Sequence, residues 1–100
     1  MKRSSVGLPN RNAMLSNSAL LFRMSDGSGQ FYIATRLREG SWDLREAAVV
    51  KSGGGTVAVT PGSAVVMRAD LWSLASAVSA VGGIYCASGN SPDYMRCVGE

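Results

Sequence analysis

The side chains with most chemistry to offer in this 100-residue chain are cations and one ring, spaced along two adjacent segments. Tyr32, Arg36 and Arg38 alternate with other residues in "QFYIATRLR" (30–38), and Arg45 and Lys51 fall in phase in "SWDLREAAVVK" (41–51). A guanidinium grips phosphate through paired hydrogen bonds, and a tyrosine face gives an unstacked base something to lie on. Such a set on one sheet face suits single-stranded nucleic acid, with Arg23 of the preceding segment as a further contact. A solvated face of a basic protein would carry the same arginines, and one tyrosine is not a stacking platform.

Catalysis finds less support. The chain has no histidine, which removes the commonest general base and every nucleophile arrangement built on it. Asp26, Glu39, Asp43, Glu46, Asp70 and Asp93 are scattered over turns and a strand, without the spacing of a carboxylate pair. Cys86 and Cys97 alone fall short of four metal ligands, so no metal site is expected. The glycine run in "KSGGG" (51–55) lacks the Lys-Ser/Thr and the helix that follow a phosphate-cradling loop. No catalytic residue and no cofactor is assigned, and the protein is expected not to be an enzyme.

The elements that would position the cations follow from periodicity. "SALLFRMS" (18–25) is a candidate strand, "DGSG" (26–29) a turn, and 30–38 a half-buried strand, with Phe31, Ile33, Thr35 and Leu37 opposite Tyr32, Ala34, Arg36 and Arg38. Glu39-Gly40 suits a two-residue hairpin in which Arg38 pairs with Ser41. That register sets Leu37 against Trp42, Thr35 against Leu44 and Arg36 against Asp43. It turns Trp42, Leu44, Ala48 and Val50 inward, with Glu46 as an intruder, and Asp43, Arg45 and Lys51 outward. After the glycine turn, "TVAVT" (56–60) and "SAVVMR" (63–68) read as short strands around Pro61-Gly62, and "ADLWSLASAVSAV" (69–81) as an amphipathic helix stopped by Gly82-Gly83. "IYCA" (84–87) is a last strand or an extended tail.

One domain is expected, because a chain this short supports one core. Residues 1–16 form a basic leader, 17–88 the folded unit and 89–100 a tail. With 46% hydrophobic and 17% charged residues the chain is built to fold. The formal charge is +3, and no acid precedes Asp26, so Lys2, Arg3, Arg11 and Arg23 stand alone in the leader and first strand. The leader fits a phosphate-touching arm, a transit peptide or an inconsequential terminus. With no apolar run of membrane-span length and no secretory signal, the expected setting is intracellular, without a membrane partner, and two free thiols are expected there rather than a disulfide.

On Asp43-Leu44-Arg45-Glu46, Pro61-Gly62, Val65-Val66-Met67 and Ala69-Asp70-Leu71-Trp72 with Leu74, residues 42–78 resemble the positive-cofactor-four family of transcriptional coactivators that bind single-stranded DNA. The resemblance implies an α+β fold: a four- or five-stranded curved antiparallel meander, then one C-terminal helix, assembled as a homodimer. It implies that Arg45 contacts DNA and that Arg36 and Arg38 lie in the basic region before it. The family's aromatic positions after Arg-Glu are here Ala47 and Ala48, and its cations around the Pro-Gly turn are Thr60, Ser63 and Ala64. The expectation is therefore a single-stranded nucleic-acid-binding protein, for DNA before RNA, serving transcription or replication. The contacts would be Arg23, Tyr32, Arg36, Arg38, Arg45 and Lys51. The alternative is a protein-interaction module or small regulator on the same dimeric fold.

Overall fold

A computed structural model describes residues 16–98. Its elements run β1 (Ala19–Met24), β2 (Phe31–Arg36), β3 (Trp42–Gly53), β4 (Thr56–Pro61), β5 (Met67–Ala69), α1 (Leu71–Ala80), β6 (Gly83–Ser91) and β7 (Tyr94–Cys97). The expected leader, 1–16, lies outside the described residues but for its last position.

Every pairing is antiparallel, as the alternating segments imply, but the sheet does not stop at the helix. β1 pairs with β2 along one edge and with β6 along the other, β6 with β7, β7 with β4, β4 with β3, and β3 with β2. The ring β1-β6-β7-β4-β3-β2 closes into a six-stranded barrel, and β5 is a three-residue flap on the start of β3. The expected meander ending in a helix is thus corrected: two strands follow α1, and residues 89–97, read as tail, finish β6 and form β7. Closure removes sheet edges that would otherwise present unpaired backbone groups.

Closure buries the inner face of the sheet, and α1 covers part of the outer one. Inside the barrel, Leu21, Ile33, Val57, Val59, Ala87 and Met95 make one cluster. Outside it, α1 lays Leu71, Leu74, Ala75 and Val78 over Leu20, Phe22, Ala34, Trp42, Leu44 and Tyr85 in a second. The helix starts at Asp70, whose carboxylate accepts the Ser73 N–H at 2.9 Å, satisfying one of the donors left free at a helix N-terminus. It stops at Gly82, whose φ of +92° few other residues adopt. Gly83 then begins β6 where a Cβ would sit 2.2 Å from a Val78 methyl, so glycine is needed for the strand to pass under the helix.

The β2–β3 hairpin differs from expectation by one residue. The Leu37 N–H donates to the Ser41 carbonyl (2.7 Å) and the Gly40 N–H to the Leu37 carbonyl (3.0 Å), enclosing the three residues Arg38-Glu39-Gly40 with Gly40 at φ +107°. A three-residue loop with glycine in the left-handed position is the next most favoured hairpin after the two-residue one. It pairs Ala34 with Leu44, Thr35 with Asp43 and Arg36 with Trp42. Because side chains alternate with period two, the slip exchanges the faces of one strand relative to the other. Tyr32, Ala34 and Arg36 share the helix side with Trp42 and Leu44, while Phe31, Ile33 and Thr35 share the barrel interior with Asp43, Arg45 and Ala47.

The same geometry removes the intruder. α1 covers β3 only near its start, so Glu46, Ala48 and Val50 on that side are exposed, and Ala47 and Val49 turn toward the interior. The glycine-rich segment is partly strand, β3 running to Gly53 before Gly54 and Gly55 turn the chain. Only the last residues of "SAVVMR" pair as a strand, leaving Val65 and Val66 exposed.

Candidate functional site

The six candidate contacts do not share a face. Arg36 and Arg38 lie at the end of the barrel that carries the β2–β3 hairpin. Arg36 stacks over the Trp42 ring at 5.2 Å and donates to the Asn17 carbonyl at 3.2 Å; Arg38 is exposed in the hairpin loop. Tyr32 is half-buried against the helix-side core.

Arg45 is occupied internally. Its Nη1 donates to the Gly62 and Ser63 carbonyls at 3.2 and 2.8 Å, and its Nη2 lies 3.6 Å from Asp43 Oδ2. These bonds fasten the β4–β5 connection at the point where β3 exchanges β5 (residues 42–44) for β4 (from residue 47) as its neighbour. Gly62 belongs there because its N–H donates to the Glu46 carbonyl (2.7 Å) and a Cβ would come within 3.1 Å of the same oxygen.

Asp43 is the hub of this end. Only 3% of its side chain is exposed, and Arg68 of β5 grips both carboxylate oxygens, Nε to Oδ1 at 2.5 Å and Nη2 to Oδ2 at 3.0 Å. The Arg68 and Arg45 guanidinium groups both lie against it. The Arg68 hydrogen bond, with the charges of Arg68 and Arg45, holds the Asp43 carboxyl below its ordinary range despite the opposing penalty of burial. The sequence pairs Asp43 with Arg36; the structure pairs it with Arg68, which periodicity does not single out because β5 is too short to show a period.

Arg23 and Lys51 sit at the opposite end. β2 separates the two ends: Arg36 is five residues, roughly 17 Å, along the strand from Phe31. Around this second mouth the barrel opens into a cavity of about 520 Å³. Leu21, Phe31, Val49, Val57, Ala87 and Cys97 line it, one from each of the six barrel strands, with Arg23 and Lys51 among the lining residues and exposed to solvent. Cys86 also lines it, as the extra residue left between the paired Tyr85 and Ala87 where β6 slips register against β1. Both thiols are free, and burial, with Cys97 close by, pushes Cys86 up to about 11 while Arg23 pulls the other way.

A second concavity, about 310 Å³, runs beside α1 over Leu44 and Val78, walled by Val66 and Val81. Neither cavity is readable from the sequence, since each needs the closure or the packing of α1 to exist. The apolar run Val65-Val66-Met67 is the available signal for the second: it reads as a strand, yet Val65 and Val66 are exposed. Among the described residues, no group of three or more His, Cys, Asp or Glu could hold a metal, and no helix is long and apolar enough to cross a membrane. The chain matches no protein-family model, no curated protein and no solved structure.

Proposed function

We propose that the protein is a non-enzymatic interaction module that docks along the groove beside α1, and that a second copy of the chain is its partner. The observation that carries this reading is the apolar surface around the groove. Val66 and Val81, which wall the groove, are 55% and 66% exposed, and the exposed Val65 adjoins Val66 in the chain. Clustered apolar side chains left in water on a small domain mark a contact surface rather than a solvated one. Two free thiols accord with an intracellular setting. Light scattering on a gel-filtered sample is the test. A dimer that Val66→Glu with Val81→Glu converts to a folded monomer supports the reading; a wild-type monomer at high chain concentration refutes it.

Nucleic-acid binding is retained as a second reading, with a different carrier. Seven cations and six acids among the described residues nearly cancel, whereas Lys2, Arg3 and Arg11 in the leader face no acid before Asp26. Binding to single-stranded DNA or RNA would then be carried by the leader, with Arg36 and Arg38 contributing. Titration of a fluorescent oligonucleotide in low salt should show binding that weakens with added salt and disappears when residues 1–15 are removed. Binding that survives that truncation and Arg36→Glu with Arg38→Glu overturns this assignment.

A further inference from the structure

We infer that the open mouth of the barrel, at the end away from the β2–β3 hairpin, is a binding site for a single-chain amphiphile with a carboxylate head. The cavity's about 520 Å³ lies within the range of small-molecule sites, and barrel mouths are among the places such sites recur. Its walls are almost wholly apolar: Leu21, Phe31, Val49, Val57 and Ala87 present carbon, and the Cys86 thiol, held protonated at neutral pH, presents an uncharged sulfur. Apart from Arg23 and Lys51 at the opening, the polar side-chain groups among the lining residues are the Tyr85 hydroxyl and the two thiols, so the chemistry selects a mainly hydrocarbon ligand body.

The head group is set by Arg23 and Lys51. They stand on β1 and β3, on two sides of the opening, and both are exposed. Among the described residues neither has an ion pair or a side-chain hydrogen bond, in contrast with Arg36, Arg45 and Arg68, all of which are engaged. No acid lines the cavity. An alkyl chain seated in the barrel would therefore place an anionic end where two unengaged cations flank the exit. The site is separate from the groove beside α1 and does not depend on how the module assembles.

The test uses the full chain and the straight-chain acids hexanoate, octanoate and decanoate below their micelle thresholds, with 1-decanol as the uncharged control, followed by backbone-amide NMR. Saturable shifts should centre on β1, β4 and β6 near Leu21, Val57 and Ala87, and affinity should rise about fourfold per added methylene while the chain still fits. Arg23→Gln with Lys51→Gln should weaken decanoate about three- to tenfold and decanol less than about twofold. Val49→Trp, at a partly buried lining position, should block both ligands in a protein whose spectrum stays folded. Absence of saturable decanoate binding, shifts confined to the α1 groove, or undiminished binding to a folded Val49→Trp protein would overturn the site. Equal affinity for decanoate and decanol would overturn the anionic head.

Discussion

Removing the Asp43 carboxylate should disconnect the end of the barrel where three strands meet. Asp43 pairs across the backbone with Thr35 of β2 and Arg68 of β5, and its side chain receives two hydrogen bonds from Arg68 with Arg45 at 3.6 Å. Breaking a fully buried charge pair costs about 3–5 kcal/mol and an exposed one about 0–1 kcal/mol. Here the carboxylate is 3% exposed but the Arg68 side chain 57%, so the value lies between those limits. We expect Asp43→Ala to cost about 2 kcal/mol, Arg68→Ala to cost less, and the double mutant to cost less than the sum of the two single losses, which is the coupling of the pair. Arg45 keeps its two carbonyl partners in all three variants, which limits the loss. Urea unfolding followed by tryptophan fluorescence would read the Asp43→Ala effect as a midpoint lower by about 1 M. The acid limb supplies a second readout. A carboxyl held below its ordinary value of 3.8 contributes stability that is present above that value and is lost as pH falls through the lower folded one. Asp43→Asn should therefore lose less stability than wild type on acidification below pH 3.8. Coupling indistinguishable from zero, with an unchanged acid limb in Asp43→Asn, would refute the hub.

Two other outcomes follow from the fold. Ala34→Glu should cost more than about 3 kcal/mol or prevent folding, because Ala34 is 0% exposed beneath α1; the alternative register leaves it outward and the substitution near neutral in a thermal melt. Cys86 should make the protein less stable in alkali: a thiol raised from 9.0 to about 11 favours folding fully below pH 9 and loses that contribution as pH rises through 11. At about 1.4 kcal/mol per unit, discounted because solvent reaches part of the side chain, the loss is about 1–2 kcal/mol, and Cys86→Ala should flatten it in denaturant melts across that range.

The local elements are legible in the sequence and their closure is not, for reasons that particular residues make plain. β1, β2, the first part of β3, β4 and α1 carry clean apolar periods bounded by turn residues, so their existence follows from spacing. β6 and β7 do not: "GIYCASGNS" and "YMRC" contain two glycines, an asparagine and a register slip at Cys86, and Gly89 is required because a Cβ there would meet the Tyr94 carbonyl at 2.7 Å. Tight packing of strand on strand thus selects the residues that erase a strand's signature. The hairpin register is ambiguous in a sharper way. Both loop lengths keep Glu39-Gly40 in the turn, and the observed one sets Ile33 opposite Arg45 and Arg36 opposite Trp42 while keeping Ala34 against Leu44, so pair preferences worth a fraction of a kcal/mol each do not decide the register.

That one-residue choice decides the candidate site, because the barrel leaves only part of either strand face to solvent. With a two-residue loop, Arg36 and Arg45 share an outer face and a nucleic-acid surface can be drawn through them. With three, Arg45 is on the interior side of a closed sheet, where a guanidinium must find acceptors. It takes the Gly62 and Ser63 carbonyls and the edge of Asp43, and becomes part of the framework. The cations left unengaged around an apolar opening are Arg23 and Lys51, at the other mouth, and that opening exists because β6 and β7 complete the ring. A flat meander would present those two side chains on the rim of nothing; the same residues on a closed barrel flank an apolar cavity.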